Sequence, residues 1–264
     1  MSALEDLIRP DVYPRSSRYD PAWLMRLDLG PNPLWLLEDL STDLALEPGM
    51  RVLDLGSGNG ATSVFLAREF GVDVVAADWW VSAETATAVF EAAKVDDRVT
   101  AVHAEAHQLP FDRASFDAIV CVDAWEYFGT ADNYLPYVLR FLRPGGQIGV
   151  ATLALTREVR ELGAIPAHIK KAVGWEALAW HTPEWLRFQW EITELVTVTA
   201  ARLQPEGWHD WLLWARAAGT DKAPYDRAPY VEMLEADRGE FVSFALMAAR
   251  KTSGMTGGVA RKLG

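Results

Sequence analysis

The sequence predicts an α/β fold in which a doubly wound, mostly parallel seven-stranded sheet carries helices on both faces. Two observations predict it. From Arg51 onward, short β-rich apolar runs alternate with longer amphipathic ones, and the short runs are apolar on both faces, as in a sheet covered on both sides. The first of them, "RVLDLG", passes through "GSGNG" directly into a helix-like run, the strand-turn-helix entry of such a sheet.

Taken in order, the stretch 13–40 places Trp, Leu and Met at helical spacings ahead of the first strand. Strands are expected at 51–56, 73–78, 99–104, 116–124 and 147–154, with helices at 60–70, 82–94 and 132–143 and a short connection at 105–115. "RPGG" at 143–146 ends the last of these helices with a Pro-Gly turn and launches the fifth strand. Residues 156–193 read as an insertion followed by a helix from Pro183, N-capped by Thr182, with Trp185 and Trp190 facing inward. The runs 195–203 and 241–251 are the last two strands, separated by a second helical insertion over 204–240.

At 264 residues with half of them apolar, the chain can bury a full core as one domain with appended elements or as two small ones. Lys plus Arg number 25 against 37 Asp plus Glu, a net charge of −12, which opposes nucleic acid and anionic membrane as partners. The single cysteine, Cys121, lies in the apolar string "AIVCVDAW", so neither an internal disulfide nor a thiolate metal cluster can form. No apolar run approaches the roughly 18 to 20 residues of a membrane span, and "MSALEDLIRP" lacks the regions of a signal peptide. The expected location is cytoplasmic.

Gly56, Gly58 and Gly60 let the chain turn tightly and approach a ligand, and the helix behind them presents unpaired N–H groups. Asp78 closes the second strand, where a carboxylate can accept both hydroxyls of a ribose. The bland alternative is a tight turn and a solvated acid. "GSGNGA" also fits the dinucleotide pattern, but Asp54, two residues before the first glycine, repels a pyrophosphate and suits a ligand bearing an ammonium and a sulfonium.

The stretch "VLDLGSGNG" resembles motif I of the class I S-adenosylmethionine-dependent methyltransferases, and "AAD" (76–78), "HAEAHQLPFDRASFDAIVCVDAW" (103–125) and "LRPGGQI" (142–148) resemble their later blocks. The resemblance covers Met50 to Ala154, and the whole chain is similar to the methyltransferase type 11 or cyclopropane-fatty-acid-synthase-like group. It implies the Rossmann-like methyltransferase fold, S-adenosylmethionine as cofactor and S-adenosylhomocysteine as product. It further implies that Asp54 orients the methionine amino group through water, that Gly56, Gly58 and Gly60 form the cofactor turn, and that Asp78 binds the ribose. Trp79 would stack on adenine, Glu105 and Ala106 would border it, and Asp123 would face the methyl-transfer chamber. Glu105 departs from the family's more frequent Asp. The structural alternatives are a core aromatic for Trp79, a solvated acid for Glu105 and a helix cap for Asp123.

The resemblance also gives a domain plan: an N-terminal helical lid over 1–48, a cofactor-binding core over 49–154 and the rest of the core with acceptor-binding insertions over 155–251; the Gly/Ser/Thr-rich composition of 252–264 reads as a flexible tail. Twelve tryptophans, most of them in the flanks, either line a pocket for a planar or cationic acceptor or staple the insertions to the sheet. His168, His181 and His209 lie in these segments, and His181, at the helix entrance "WHTPEW", joins Asp123 as the catalytic candidate, against a merely structural role. The expected reaction is methyl transfer to an N, O or C nucleophile of a small molecule, with no metal and with a homodimer left open. The alternatives are a catalytically silent S-adenosylmethionine-binding subunit and an NAD(P)-dependent oxidoreductase. Acidity and "DAWE" at 123–126 oppose nucleic-acid methylation, the lone cysteine opposes arsenic methylation, and acidity also disfavours lipid cyclopropanation.

Overall fold

The computed structural model describes residues 4–219 and 226–253. Its sheet contains β1 (Arg51–Leu55), β2 (Asp73–Asp78), β3 (Val99–His103), β4 (Phe116–Val122), β5 (Leu142–Leu155), β6 (Val196–Leu203) and β7 (Val242–Lys251) in the order β3-β2-β1-β4-β5-β7-β6. Strands β1 to β5 run parallel, whereas β7 pairs antiparallel with both β5 and β6. The chain moves outward from β1 to β3 and then returns to β4 on the other side of β1. That reversal opens a crevice at the carboxyl ends of β1 and β4.

Period-two alternation explains why both faces are covered. Val52 of β1 and Ala118 and Val120 of β4 point into a core shared with α2 (Pro33–Ser41), α3 (Ala61–Phe70) and α4 (Ala83–Ala93). Leu53, Leu55, Ile119 and Cys121 point the other way, against α5 (Tyr134–Val138) and α8 (Pro183–Glu191). The N-terminal flank is part of the first core. Leu34, Trp35 and Leu37 of α2 are fully buried, and the Trp35 ring lies parallel to that of Tyr13 at 5.4 Å and edge-on to Trp214 at 6.1 Å. The helix following Asp20, α1 (Pro21–Arg26), leads to the stretch of this flank that reaches the crevice, Leu27 to Pro33.

Three expected boundaries differ. Strand β4 stops at Val122 instead of residue 124 because Asp123 takes a left-handed φ of 53°. The helix expected over 132–143 is only Tyr134–Val138, since Pro136 removes a donor within its first turn and the chain rejoins the sheet at Leu142. "RPGG" is then a bulge inside β5: Phe116 pairs with Leu142, but Ala118 pairs with Gln147. The insertions form α6 (Val159–Leu162), α7 (Ala167–Val173) and α8 before β6, then α9 (Gly207–Ala218) and α10 (Ala228–Asp237) before β7. The Thr182 hydroxyl caps α8 by accepting the Trp185 N–H at 3.2 Å; Trp190 is buried, and Trp185 is half-buried against the same core. Of the expected tail, residues 254–264 lie outside the described residues.

Candidate active site

The turn after β1 is clamped to the end of β2. The N–H groups of Gly56 and Ser57 both donate to the carbonyl of Ala77, at 2.8 and 3.2 Å, and the Gly58 N–H donates to Asp78 Oδ2 at 2.8 Å. The other Asp78 oxygen accepts the N–H groups of Trp80 and Val81 at 2.7 and 2.8 Å. One carboxylate thereby holds the turns after β1 and β2 together. Gly58 has a φ of 54° and faces the cavity, where a Cβ would lie 2.9 Å from Leu29 Cδ1. Gly60, with a φ of 89°, starts α3 and is packed under the Phe90 ring; it does not line the cavity.

The crevice holds a cavity of about 230 Å³ whose wall includes Gly56, Gly58, Asp78, Trp79, Glu105, Ala106 and Asp123. Trp79 is not a core aromatic. It is 58 % exposed and lies flat on His103, 4° from parallel with centroids 5.0 Å apart, while its carbonyl contacts His103 Nε2 at 2.9 Å. Glu105 bonds the His107 ring and N–H at 2.7 and 3.0 Å; burial acts to raise its pKa, but these bonds outweigh it and lower it. The Ala106 carbonyl accepts the Tyr134 hydroxyl at 3.0 Å. Tyr134 thus fixes the loop that follows β3.

Asp54 lies behind the turn, on the same face of β1 as Val52, and does not reach the cavity wall. Its Oδ2 accepts the hydroxyls of Thr62 and Ser63, each at 2.6 Å, while its Oδ1 is buried without a partner. Burial pushes its pKa up to about 6, opposed by the Ser63 and Thr62 bonds and helped by the charge of Asp78. A partnerless buried oxygen behind a glycine turn fits an amino group reached through water. On the same wall, Ala61 and Thr62 open α3, whose first N–H groups suit a ligand carboxylate. The residues therefore fit an amino-acid-bearing nucleoside.

A second cavity of about 660 Å³ adjoins the first and shares Leu29, Gly30, Pro31, Trp80, Asp123 and Tyr127 with it. Asp123 stands at the junction, its Oδ2 against the backbone of Gly30 and its Oδ1 buried and unpartnered. Burial raises its pKa well above the usual carboxylate range, aided by the charges of Glu126 and Asp28. Glu126, which sequence reasoning missed as a site residue, lines the same chamber and is 7 % exposed. Its Oε2 accepts the Thr152 hydroxyl at 2.6 Å, its Oε1 has no partner, and burial lifts its pKa to about 7 against the effect of the Thr152 bond. Both readings of the tryptophans find members: Trp35, Trp125, Trp190 and Trp214 staple the core, whereas Trp80, Trp175, Trp180 and Trp211 line the chamber.

His181 does not join this site. It sits in a separate surface recess, stacked on Trp185 at 3.5 Å, with Nδ1 3.0 Å from Glu158 Oε2. Trp180 lines both that recess and the chamber, whereas His181 lines the recess and not the chamber. His168 contacts Asp237 at 2.8 Å, which in turn accepts the Phe241 and Val242 N–H groups, and His209 lines neither cavity.

The front wall is Leu27 to Pro33, pinned by Asp28. This buried acid accepts from the Gly30 N–H and Trp214 Nε1, each at 3.1 Å, and pairs with Arg227. The loop over the crevice is thus tied to the second insertion.

Residues 52–146 match the model of the methyltransferase domain family. The chain is 37 % identical over 139 residues to a demethylmenaquinone methyltransferase of Clavibacter sepedonicus, covering 50 % of this chain and 52 % of that protein. It spans about half the length of the curated relatives it matches. A geranyl diphosphate methyltransferase solved in complex with S-adenosylmethionine superposes with a TM-score of 0.65 at 18 % identity, covering 84 % of this chain and 86 % of that one. The cyclase SpnF does so with a TM-score of 0.67 at 18 % identity, covering 86 % and 84 %. At these identities the likeness to solved structures speaks for the fold.

Proposed function

We propose that the chain, whose residues 52–146 match the methyltransferase domain family, moves a methyl group from S-adenosylmethionine to a small-molecule acceptor. The observation that carries this reading is the meeting of two cavities at Asp123, one shaped by the glycine turn and Asp78, the other by aromatic side chains. In the first, Asp78 would accept the ribose hydroxyls, Trp79 would offer its face to adenine beside Glu105 and Ala106, and the opening N–H groups of α3 would take the carboxylate. Asp54 would hold the amino group through water.

When bound, the cofactor supplies an electrophilic methyl group on a sulfonium. The protein's part is to fix the acceptor atom in line, exclude water and remove any proton the nucleophile must lose. Leu29 to Pro31 border both cavities and would close over the reacting atoms, while Asp123 and Glu126 would face an acceptor with their buried, unpartnered oxygens. His181, outside the chamber, is not assigned a part.

The test is incubation of the purified protein with methyl-labelled S-adenosylmethionine and a cell extract, followed by untargeted metabolite profiling. Label in a discrete small molecule supports the reading. Cofactor binding with no label in any molecule would favour a chain that holds the cofactor without methyl transfer.

A further inference from the structure

The chamber beyond Asp123 combines two features that together restrict its ligand. Glu126 Oε1 and Asp123 Oδ1 are buried there without hydrogen-bond partners, so the site lacks donors that its ligand or a proton must supply. Around them stand the rings of Trp80, Tyr127, Trp175, Trp180, Trp211 and Tyr230. Glu176 adds a third carboxylate, and no Lys, Arg or His is found among the described residues of the wall. Asp28, whose charge also reaches Asp123, is compensated by Arg227.

This composition selects by charge. A carboxylate or phosphate acceptor would meet no cationic side chain among the described residues of the wall, and its carboxylates and ring faces repel an anion. A neutral alcohol has one donor for two vacant oxygens. An ammonium group brings up to three donors and a positive charge, which the carboxylates and the indole faces both attract.

Building on the methyltransferase reading, we propose that the acceptor is an amine, bound as its ammonium between the aromatic wall and the Glu126–Asp123 pair, and that this pair takes the proton the nitrogen must lose. The step balances within the site. An N–H proton passes to whichever carboxylate of the pair is ionised, at Glu126 Oε1 or Asp123 Oδ1, and the freed nitrogen lone pair forms the N–C bond to the methyl carbon. The C–S bond breaks with its electrons remaining on sulfur, which becomes a neutral thioether, and the nitrogen carries the positive charge into the product. The proton on the carboxyl pair passes to water as the product leaves. Trp175, 77 % exposed, stands at the solvent side of this path.

The test titrates protein saturated with S-adenosylhomocysteine with 2-phenylethylamine, 2-phenylethanol and phenylacetate, three molecules of one shape and different charge. The amine should bind about tenfold tighter than the alcohol, and the carboxylate weakest of all. Glu126→Gln and Asp123→Asn should each shrink the gap between amine and alcohol while leaving affinity for S-adenosylhomocysteine unchanged in Glu126→Gln. Asn tolerates the left-handed backbone at position 123, and Gln keeps an acceptor for Thr152, so both variants retain the local fold. Equal binding of the three probes, preference for phenylacetate, or no binding of the amine would overturn the amine assignment while leaving the methyltransferase reading intact. Failure of S-adenosylhomocysteine itself to bind would instead count against that reading, and the amine assignment would fall with it.

Discussion

The backbone N–H of Gly58 donates to Oδ2 of Asp78 at 2.8 Å, joining the turn after β1 to the end of β2. With Oδ1 already accepting from Trp80 and Val81, three of the roughly four acceptor positions of this carboxylate are used before any ligand arrives. Asp78 is therefore both a ligand group and the tie that shapes the cavity. Asp78→Ala should weaken S-adenosylhomocysteine binding by roughly 1 to 3 kcal/mol, measured by calorimetry. Hydrogen exchange at 56–60 and 79–81 should rise in the same variant even without ligand. Unchanged affinity would remove the ribose assignment.

The glycines of the turn separate into two kinds. Gly60 sits under the Phe90 ring, so Gly60→Ala should lower thermal stability by pressing a methyl group into the core at a backbone angle that costs roughly 1 to 2 kcal/mol. At Gly58 the nearest obstacle is the flexible end of Leu29, but its φ of 54° strains a branched residue, so Gly58→Val should lose stability too and, in the protein that folds, lose cofactor binding, because the side chain occupies the cavity. Paired melting curves and calorimetric titrations check both. Normal binding by a folded Gly58→Val would reduce the motif to a turn.

Buried Asp54 and Glu126 have folded pKa values raised to about 6 and about 7. Between the ordinary carboxylate range and these values the folded state binds more protons than the unfolded state, so this contribution is complete at low pH and is lost as pH rises toward 7. Against the wild-type curve, Glu126→Gln should flatten the decline in stability between about pH 4 and 7. Denaturant midpoints across this range give the measurement. Parallel curves would mean that Glu126 is ionised in the folded protein throughout.

The flank divides in the same way. Trp35 is buried in the core, whereas Leu29 and Gly30 border both cavities. Bound S-adenosylhomocysteine should raise hydrogen-exchange protection at 27–33, 54–60 and 76–80, with α2 protected in both states. Protection unchanged at 27–33 would make the loop a fixed wall.

The sequence made the first half of the sheet readable because each of its signals is local. Glycines just after Asp54, a strand ending in Asp78 and the short apolar run from Val52 to Leu55 all lie within one short span. Glu126 escaped notice because it meets the chamber only through the left-handed turn at Asp123, which no periodicity announces. His181 misled for a related reason: it adjoins a residue of the chamber, Trp180, but its own ring stacks on Trp185 in the neighbouring recess. The N-terminal flank has the spacing of amphipathic helices, and that spacing is the same for a lid as for a layer of the core. The stacking of Trp35 on Tyr13 and its edge-on contact with Trp214 tell them apart.

A crystal structure of the protein with S-adenosylhomocysteine bound is the most direct test of the two-cavity arrangement. The ribose hydroxyls should lie within hydrogen-bond distance of Asp78, the adenine against Trp79 beside Glu105 and Ala106, and the sulfur at the junction facing Asp123. A ligand seated with its adenine toward Glu126 and the aromatic chamber, or bound away from the glycine turn, would contradict the arrangement and with it the proposed path of the methyl group.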